Sequence, residues 1–260
     1  MRIDDPELDA RHAAMYDADN GWRADDEFFL RVATRNPNAR IVDVGCGTGR
    51  LTNALALAGH TVMGVDPNPA FLNIARTKPG ADRVTWMRGT ATDLASQTFD
   101  VALMTSHVAQ EILTDDEWTE LLAHLQRALR PGGTLCFDTR DPDARAWEDW
   151  VSTHAGTRRD VLIDGTVVDL RVEMTFANDV ASFDHAAVES DGSAFFDPTS
   201  FSLTPGTTWS RATYGYRFRS AELVRSSLER AGFFVDHLYG GWNEEPLGDG
   251  AGEIVVVATV

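Results

Sequence analysis

Basic residues are scarce in this chain. Its 260 residues carry 23 Lys and Arg against 40 Asp and Glu, a formal charge of −17 at pH 7, and such a surface repels phosphate backbones and anionic lipid headgroups. Nucleic acid and membrane are therefore not expected as partners. Lysine is almost missing, Lys78 standing alone; the Arg-for-Lys skew reads as the codon bias of a GC-rich genome and carries no message about fold. Cysteine is sparse too. Cys46 and Cys136 lie in or beside apolar runs with no CxxC and no Cys/His spacing, which argues against a disulfide framework or a zinc site and for reduced thiols in a cytoplasmic protein. No metal is expected. No apolar run approaches the roughly 18 residues of a membrane span, and the opening "MRIDDPELDARHAAMYDADN" is too acidic for a secretory or transit peptide.

What is present is a 43% hydrophobic content, enough in a chain of this length for one full core with an appendage. Residues 7–17 and 25–34 read as amphipathic helices, the second opening on Asp25 and Asp26, where a helix N-terminus favours negative charge. From Arg40 strand-like runs ("RIVDV", "TVMGVD", "VTWM", "FDVALM", "TLCFDT") alternate with helical stretches at 50–58, 69–77 and 115–129, the pattern of an α/β fold with a parallel sheet covered on both faces. The pattern then changes. In "TVVDLRVEMTF", Val168, Leu170, Val172, Met174 and Phe176 share one face, as in a half-buried antiparallel strand. "VASFDHAAVE" and "TTWSRATYGYRF" supply two more, with Asn178 and Asp179 turning between the first two. The expected division is residues 1–156 and 219–260 as one α/β domain and 157–218 as an antiparallel β insert. A helix at 220–231, capped by Ser220 and followed by Gly232, and strands "FFVDHLY" and "EIVVVATV" complete the first.

The segment "IVDVGCGTGR" joins a strand to a helix through three glycines, and bare backbone amides at such a junction make a site for an anion or carboxylate. A nicotinamide fold would show G-x-G-x-x-G; here the third glycine comes one residue early, and Arg50 stands where it was needed. Asp43-Val44-Gly45-Cys46-Gly47-Thr48-Gly49 resembles the D/E-x-G-x-G-x-G motif of the class I S-adenosylmethionine-dependent methyltransferases. The resemblance continues in order through "GVDPNPAFLNIAR", "RGTATDL", "FDVALMTSHVAQEIL" and "LRPGGTLCFDT", over residues 40–139. It implies a seven-stranded Rossmann-like sheet, mostly parallel with an antiparallel last strand, and S-adenosyl-L-methionine as cofactor. It also implies the site: Asp43 and the loop Gly45, Gly47 and Gly49 around the cofactor, Asp66 on the ribose hydroxyls, Pro67 against the adenine, and Thr105 and Ser106 beside the methionine part. Thr90 and Ala91 stand in the family's G-D-A stretch, with Thr replacing Asp and Asp93 as a substitute for the lost carboxylate. Tyr16 resembles the tyrosine of an N-terminal helix that folds over the cofactor in many relatives.

Methyl transfer from a sulfonium needs alignment and exclusion of water more than it needs a base. If the acceptor must lose a proton, His107 in "MTSHVAQE" is the catalytic residue its position suggests, with packing or orienting the loop as the alternative; His185 is a weaker base. Phe176, Phe183, Trp209, Tyr214 and Tyr216 roof the acceptor site, pack on the sheet flank, or form a dimer interface; monomer and homodimer both remain open. The reading reached is methyl transfer to an O or N nucleophile of a small-molecule acceptor, with a regulatory or structural cofactor binder as the alternative.

Overall fold

The computed structural model describes residues 6–153, 156–161, 167–189 and 208–260. Helices α1 (Pro6–Asp19) and α2 (Ala24–Ala33) lead into β1 (Arg40–Val44), α3 (Arg50–Leu57), β2 (Thr61–Asp66), α4 (Pro69–Ala75), β3 (Val84–Arg88), β4 (Phe99–Met104), α5 (Asp115–Ala128) and β5 (Leu129–Arg140). After α6 (Ala146–Thr153) come β6 (Gly156–Val161), β7 (Val167–Ala177), β8 (Val180–Glu189) and β9 (Thr208–Arg217), and then α7 (Ala221–Arg230), β10 (Phe234–Tyr239) and β11 (Glu253–Thr259).

Seven strands form one sheet in the order β10-β11-β5-β4-β1-β2-β3. β1 pairs in parallel with β2 and β4, whereas β11 runs antiparallel to both β5 and β10. The strands alternate their side chains between two apolar layers, which is why the central ones read as unbroken hydrophobic runs. Val42, Met104 and Phe137 face α5 and α7, and their neighbours Ile41, Leu103 and Cys136 face Phe28 and Phe29 of α2 and Leu51 and Leu55 of α3. Cys136 is therefore a core thiol with no solvent exposure.

Local chemistry sets the helix ends. Thr114 opens α5 as a capping box: its hydroxyl accepts the Glu117 N–H at 3.2 Å while the Glu117 carboxylate accepts the Thr114 N–H at 3.2 Å. Trp118, Leu122 and Leu125, one helical face, are then buried against the sheet, worth about 1.5–3 kcal/mol each as an upper bound. The indole N–H of Trp118 donates to Ser227 Oγ of α7 at 2.9 Å, so its burial leaves no polar group unmet.

The antiparallel insert is four-stranded, β6-β7-β8-β9, one strand more than the alternation of hydrophobic residues indicated. β6, "GTRRDV", has no two-residue hydrophobic period to announce it. Asn178 and Asp179 make the β7–β8 turn with φ of 52° and 60°, the paired left-handed conformation of a tight hairpin. Ala181, Phe183 and Phe218 form a second small core with Trp147 and Trp150 of α6. The side chains of Val168, Leu170, His185 and Trp209 lie outside the described ones. Among the described residues no helix is long and apolar enough to cross a membrane.

Candidate functional site

At the C-terminal edge of the parallel strands the loops enclose a cavity of about 380 Å³, where a switch in strand order places ligands in such sheets. One end is built from the glycine turn. Gly45, Gly47 and Gly49 have φ of 74°, 53° and 74°, left-handed values that glycine adopts without penalty. Gly45 permits close approach: a Cβ there would stand 2.6 Å from Val108 Cγ2. At Gly47 the nearest atom to such a Cβ is Phe71 Cδ1 at 3.7 Å, so a side chain there would intrude on the cavity that this residue lines.

Asp66 closes the turn from β2. Its Oδ2 accepts the Gly47 N–H at 2.9 Å and its Oδ1 the Asn68 N–H at 2.8 Å, while burial raises its pKa above the ordinary carboxylate value. Asn68 in turn caps α4, accepting from Ala70 N–H at 2.8 Å, and donates to Asp9 Oδ1 of α1 at 2.8 Å. Asp43, 2% exposed, accepts the Thr52 hydroxyl at 2.6 Å, and burial pushes its pKa up to about 6. Its other oxygen is buried with no partner among the described residues, and Asp43 lines the cavity. A ligand carrying an N–H or O–H donor would satisfy it.

Helix α1 closes the cavity over this end. Tyr16 packs on Phe71 of α4 with ring centroids 5.1 Å apart, and the lone lysine, Lys78, bonds Asp17 of α1 and donates to Thr48 Oγ1 of the glycine turn at 3.3 Å. Arg50 ties the other side. Its Nε lies 3.1 Å from Asp26, its Nη2 3.6 Å from Asp25 and 3.1 Å from Ser106 Oγ, and its Nη1 bonds the Gly21 carbonyl. From the sequence, Arg50 was only a departure from the nicotinamide pattern; its pairing with acids of α2 leaves no local signal.

Of the residues expected at the site, Tyr16, Asp43, Gly45, Gly47, Asp66, Pro67, Thr90, Ala91, Thr105 and Ser106 line this cavity. Gly49 does not, and its left-handed turn supports α3 from behind. The Thr90 hydroxyl pairs with Thr92 Oγ1 at 2.7 Å, and Asp93 turns back to accept the Thr90 N–H at 2.9 Å, so Asp93 does not face the ligand space. His12, Asn68, Phe71 and Glu111 line the cavity without having been singled out by any motif.

His107 is likewise absent from the cavity wall, although Ser106 and Val108 on either side belong to it. Its backbone N–H donates to Asp138 Oδ2 at 2.9 Å, and its ring Nε2 meets Glu253 Oε2 at 2.9 Å and Asp138 Oδ2 at 3.3 Å. Burial lowers its pKa to about 4 and raises those of Asp138 and Glu253 to about 6 and about 8. Because the folded pKa of Glu253 lies above its ordinary value, the stability linked to its proton is complete below pH 4.5 and is lost as pH rises through about 8. Glu253→Gln keeps an acceptor for the ring N–H without the buried charge. It is expected to stabilise the protein by about 1–2 kcal/mol at pH 9 and to do little at pH 4, measured as Tm against pH in the two proteins. Equal Tm at pH 9 would refute the buried-charge account.

Fold and cavity together define a doubly wound α/β domain with a glycine turn, a strand-end carboxylate and a covering N-terminal helix. Residues 41–133 match the family described as Methyltransferase domain. An uncharacterised methyltransferase of Oceanobacillus iheyensis is 31% identical over 109 residues, 42% of this chain and 50% of that protein. The structure of the CcbJ methyltransferase from Streptomyces caelestis aligns with a TM-score of 0.70 at 18% identity over 98% of each chain. CalS10, an amino pentose methyltransferase from Micromonospora echinaspora solved with S-adenosylmethionine bound, gives 0.64 at 23% identity over 94% of this chain and 95% of its own. These structural likenesses show the fold, and the chain spans about half the length of the curated relatives it matches. Residues 41–133 are thus similar to the methyltransferase domain of the class I S-adenosylmethionine-dependent enzymes, and one of the solved likenesses, CalS10, was determined with S-adenosylmethionine bound.

Proposed function

We propose that the chain transfers a methyl group from S-adenosyl-L-methionine to an O or N nucleophile of a small molecule held in the described cavity. The observation that carries this reading is the continuity of that cavity: one space runs from the glycine turn and Asp66 to Tyr214 and Tyr216 of the insert, so donor and acceptor can share it. Asp66 takes the ribose hydroxyls, Pro67, Phe71, Thr90 and Ala91 surround the adenine, and Asp43, Gly45, Thr105 and Ser106 hold the methionine part under Tyr16. Residues 1–156 and 219–260 form the cofactor-binding part, and 157–218 close the acceptor end. His107 serves as a positioning residue: its ring is turned to Asp138 and Glu253 and, with a pKa of about 4, it is poorly matched to accept a proton at neutral pH. Alignment and exclusion of water then carry the catalysis. Calorimetry with S-adenosylhomocysteine is expected to show one-to-one binding, and a small-molecule library is expected to yield acceptor-dependent S-adenosylhomocysteine formation. A folded protein that binds no S-adenosylhomocysteine would refute the reading.

A further inference from the structure

The charges around the cavity are unequal. Among its described lining residues four carboxylates, Asp26, Asp43, Asp66 and Glu111, face a single guanidinium, Arg50. Arg50 is itself answered by Asp25 and Asp26. Asp43 and Asp66 belong to the cofactor end through Thr52 and the backbone of Gly47 and Asn68. Glu111 belongs to the other end. It closes the short 3₁₀ turn Val108–Glu111 after β4, and the turn is anchored by the residue before it: fully buried Gln110 accepts from Arg140 Nη1 at 2.8 Å and donates to the Arg217 carbonyl at 3.5 Å. Burial is the main cause that raises the pKa of Tyr16, Asp66 and Tyr216, and the negative charge of Glu111 adds to it in each. Those groups sit on α1, β2 and β9, so the carboxylate acts on three walls of the cavity.

Aromatic faces complete this end. Tyr214 and Tyr216, two apart on β9, both line the cavity with ring centroids 5.6 Å apart, and Tyr16 of α1 lines it too. Cations are attracted to such faces, and this part of the molecule already shows it: the Arg140 guanidinium lies 5.8 Å from the Tyr216 ring and 4.8 Å from that of Trp150.

Resting on the methyltransferase reading above, we propose that the acceptor is an amine, bound as its ammonium between Glu111 and the tyrosines Tyr16, Tyr214 and Tyr216. A neutral hydroxyl would give the carboxylate no charge to meet. Reaction requires the nitrogen lone pair. The ammonium releases one N–H proton to solvent, which reaches this end of the cavity at exposed Glu111. The lone pair then forms the N–C bond to the donor methyl group as the C–S pair departs on sulfur, leaving a neutral thioether. The methylated nitrogen carries the positive charge and again faces Glu111, so the carboxylate meets a cation before and after transfer.

The test uses the complex with S-adenosylhomocysteine and three probes in calorimetry: 2-phenylethylamine, 2-phenylethanol and benzyltrimethylammonium, a permanent cation that cannot be methylated. Both cations are expected to bind at least about tenfold more tightly than the alcohol. Glu111→Gln is expected to weaken both cations by about ten- to a hundredfold while moving the alcohol and S-adenosylhomocysteine by no more than a few-fold, with Glu111→Asp recovering part of the loss. Equal binding of amine and alcohol, absence of binding by either cation, or an equal effect of Glu111→Gln on both classes would overturn the amine assignment and leave the cofactor site standing. Failure of the unmodified protein to bind S-adenosylhomocysteine would overturn the methyltransferase reading itself.

Discussion

Asp66→Ala is expected to lower the affinity for S-adenosylhomocysteine by about ten- to a hundredfold, the equivalent of roughly 1.5–3 kcal/mol for charge-assisted hydrogen bonds. Two losses combine. The proposed bidentate contact with the ribose disappears, and so do the bonds that pin Gly47 and Asn68, at 2.9 and 2.8 Å, to the end of β2. The effect on folding should be small by comparison, because the freed N–H groups border a cavity that water can enter, and a carboxylate only 7% exposed no longer has to be kept from solvent. Asp66→Asn separates the two contributions: it retains one acceptor oxygen and turns an NH2 group toward one of the two backbone donors, so it should bind only marginally better than the alanine variant. Calorimetry alongside thermal unfolding decides the matter, and unchanged affinity in a folded Asp66→Ala protein would remove Asp66 from the site.

Gly49→Ala is expected to act on the fold instead. The residue sits at φ of 74°, and a Cβ would lie 2.7 Å from Trp86 Cη2, 2.8 Å from Ala75 Cβ and 2.9 Å from Asn53 Nδ2. Left-handed strain of about 1–2 kcal/mol and overpacking of about 1–3 kcal/mol sum to about 2–5 kcal/mol, or roughly 4–20 °C in Tm for a chain of this size. Gly132 supplies the control. It has the same backbone sign, φ of 77°, but a Cβ there would meet nothing within 4 Å, so Gly132→Ala should carry the strain alone, roughly 2–8 °C. Similar Tm losses in the two variants would show that the contacts behind the glycine turn yield without cost. Because Gly49 is not on the cavity wall, folded Gly49→Ala protein should keep its S-adenosylhomocysteine affinity within a few-fold.

The features read most directly from the sequence are those whose causes are local. The glycine turn needs its φ values, Ser220 caps the helix that follows it, and the Asn178–Asp179 pair makes its hairpin. Strands buried on both faces announced themselves as apolar runs. What escaped reading depends on partners far away in the chain. The ring of His107 is oriented by Glu253, 146 positions on, and no pattern around His107 records that. Arg50 owes its place to Asp25 and Asp26, and Glu111 to Gln110, Arg140 and Arg217. The aromatic stripe of the insert divides in space in a way that its two-residue period does not reveal: Tyr214 and Tyr216 turn to the cavity, while Phe176 stacks on Trp147 with centroids 4.2 Å apart.

The position of β11 has a consequence for how the protein is made. Among the described residues β10 has no neighbour in the sheet except β11, and β11 is also the strand that joins it to β5. During synthesis β1 to β5 can pair as they emerge, but β10 must wait, together with the apolar side of α7, until residues 253–259 have left the ribosome. The nascent chain therefore carries an open edge at β5 through the translation of more than a hundred further residues, and an unpaired strand edge is a template for association with other chains. Slow translation of the stretch after β5 should favour aggregation of the nascent protein, and the last-made strand of the sheet is the one that ends that exposure.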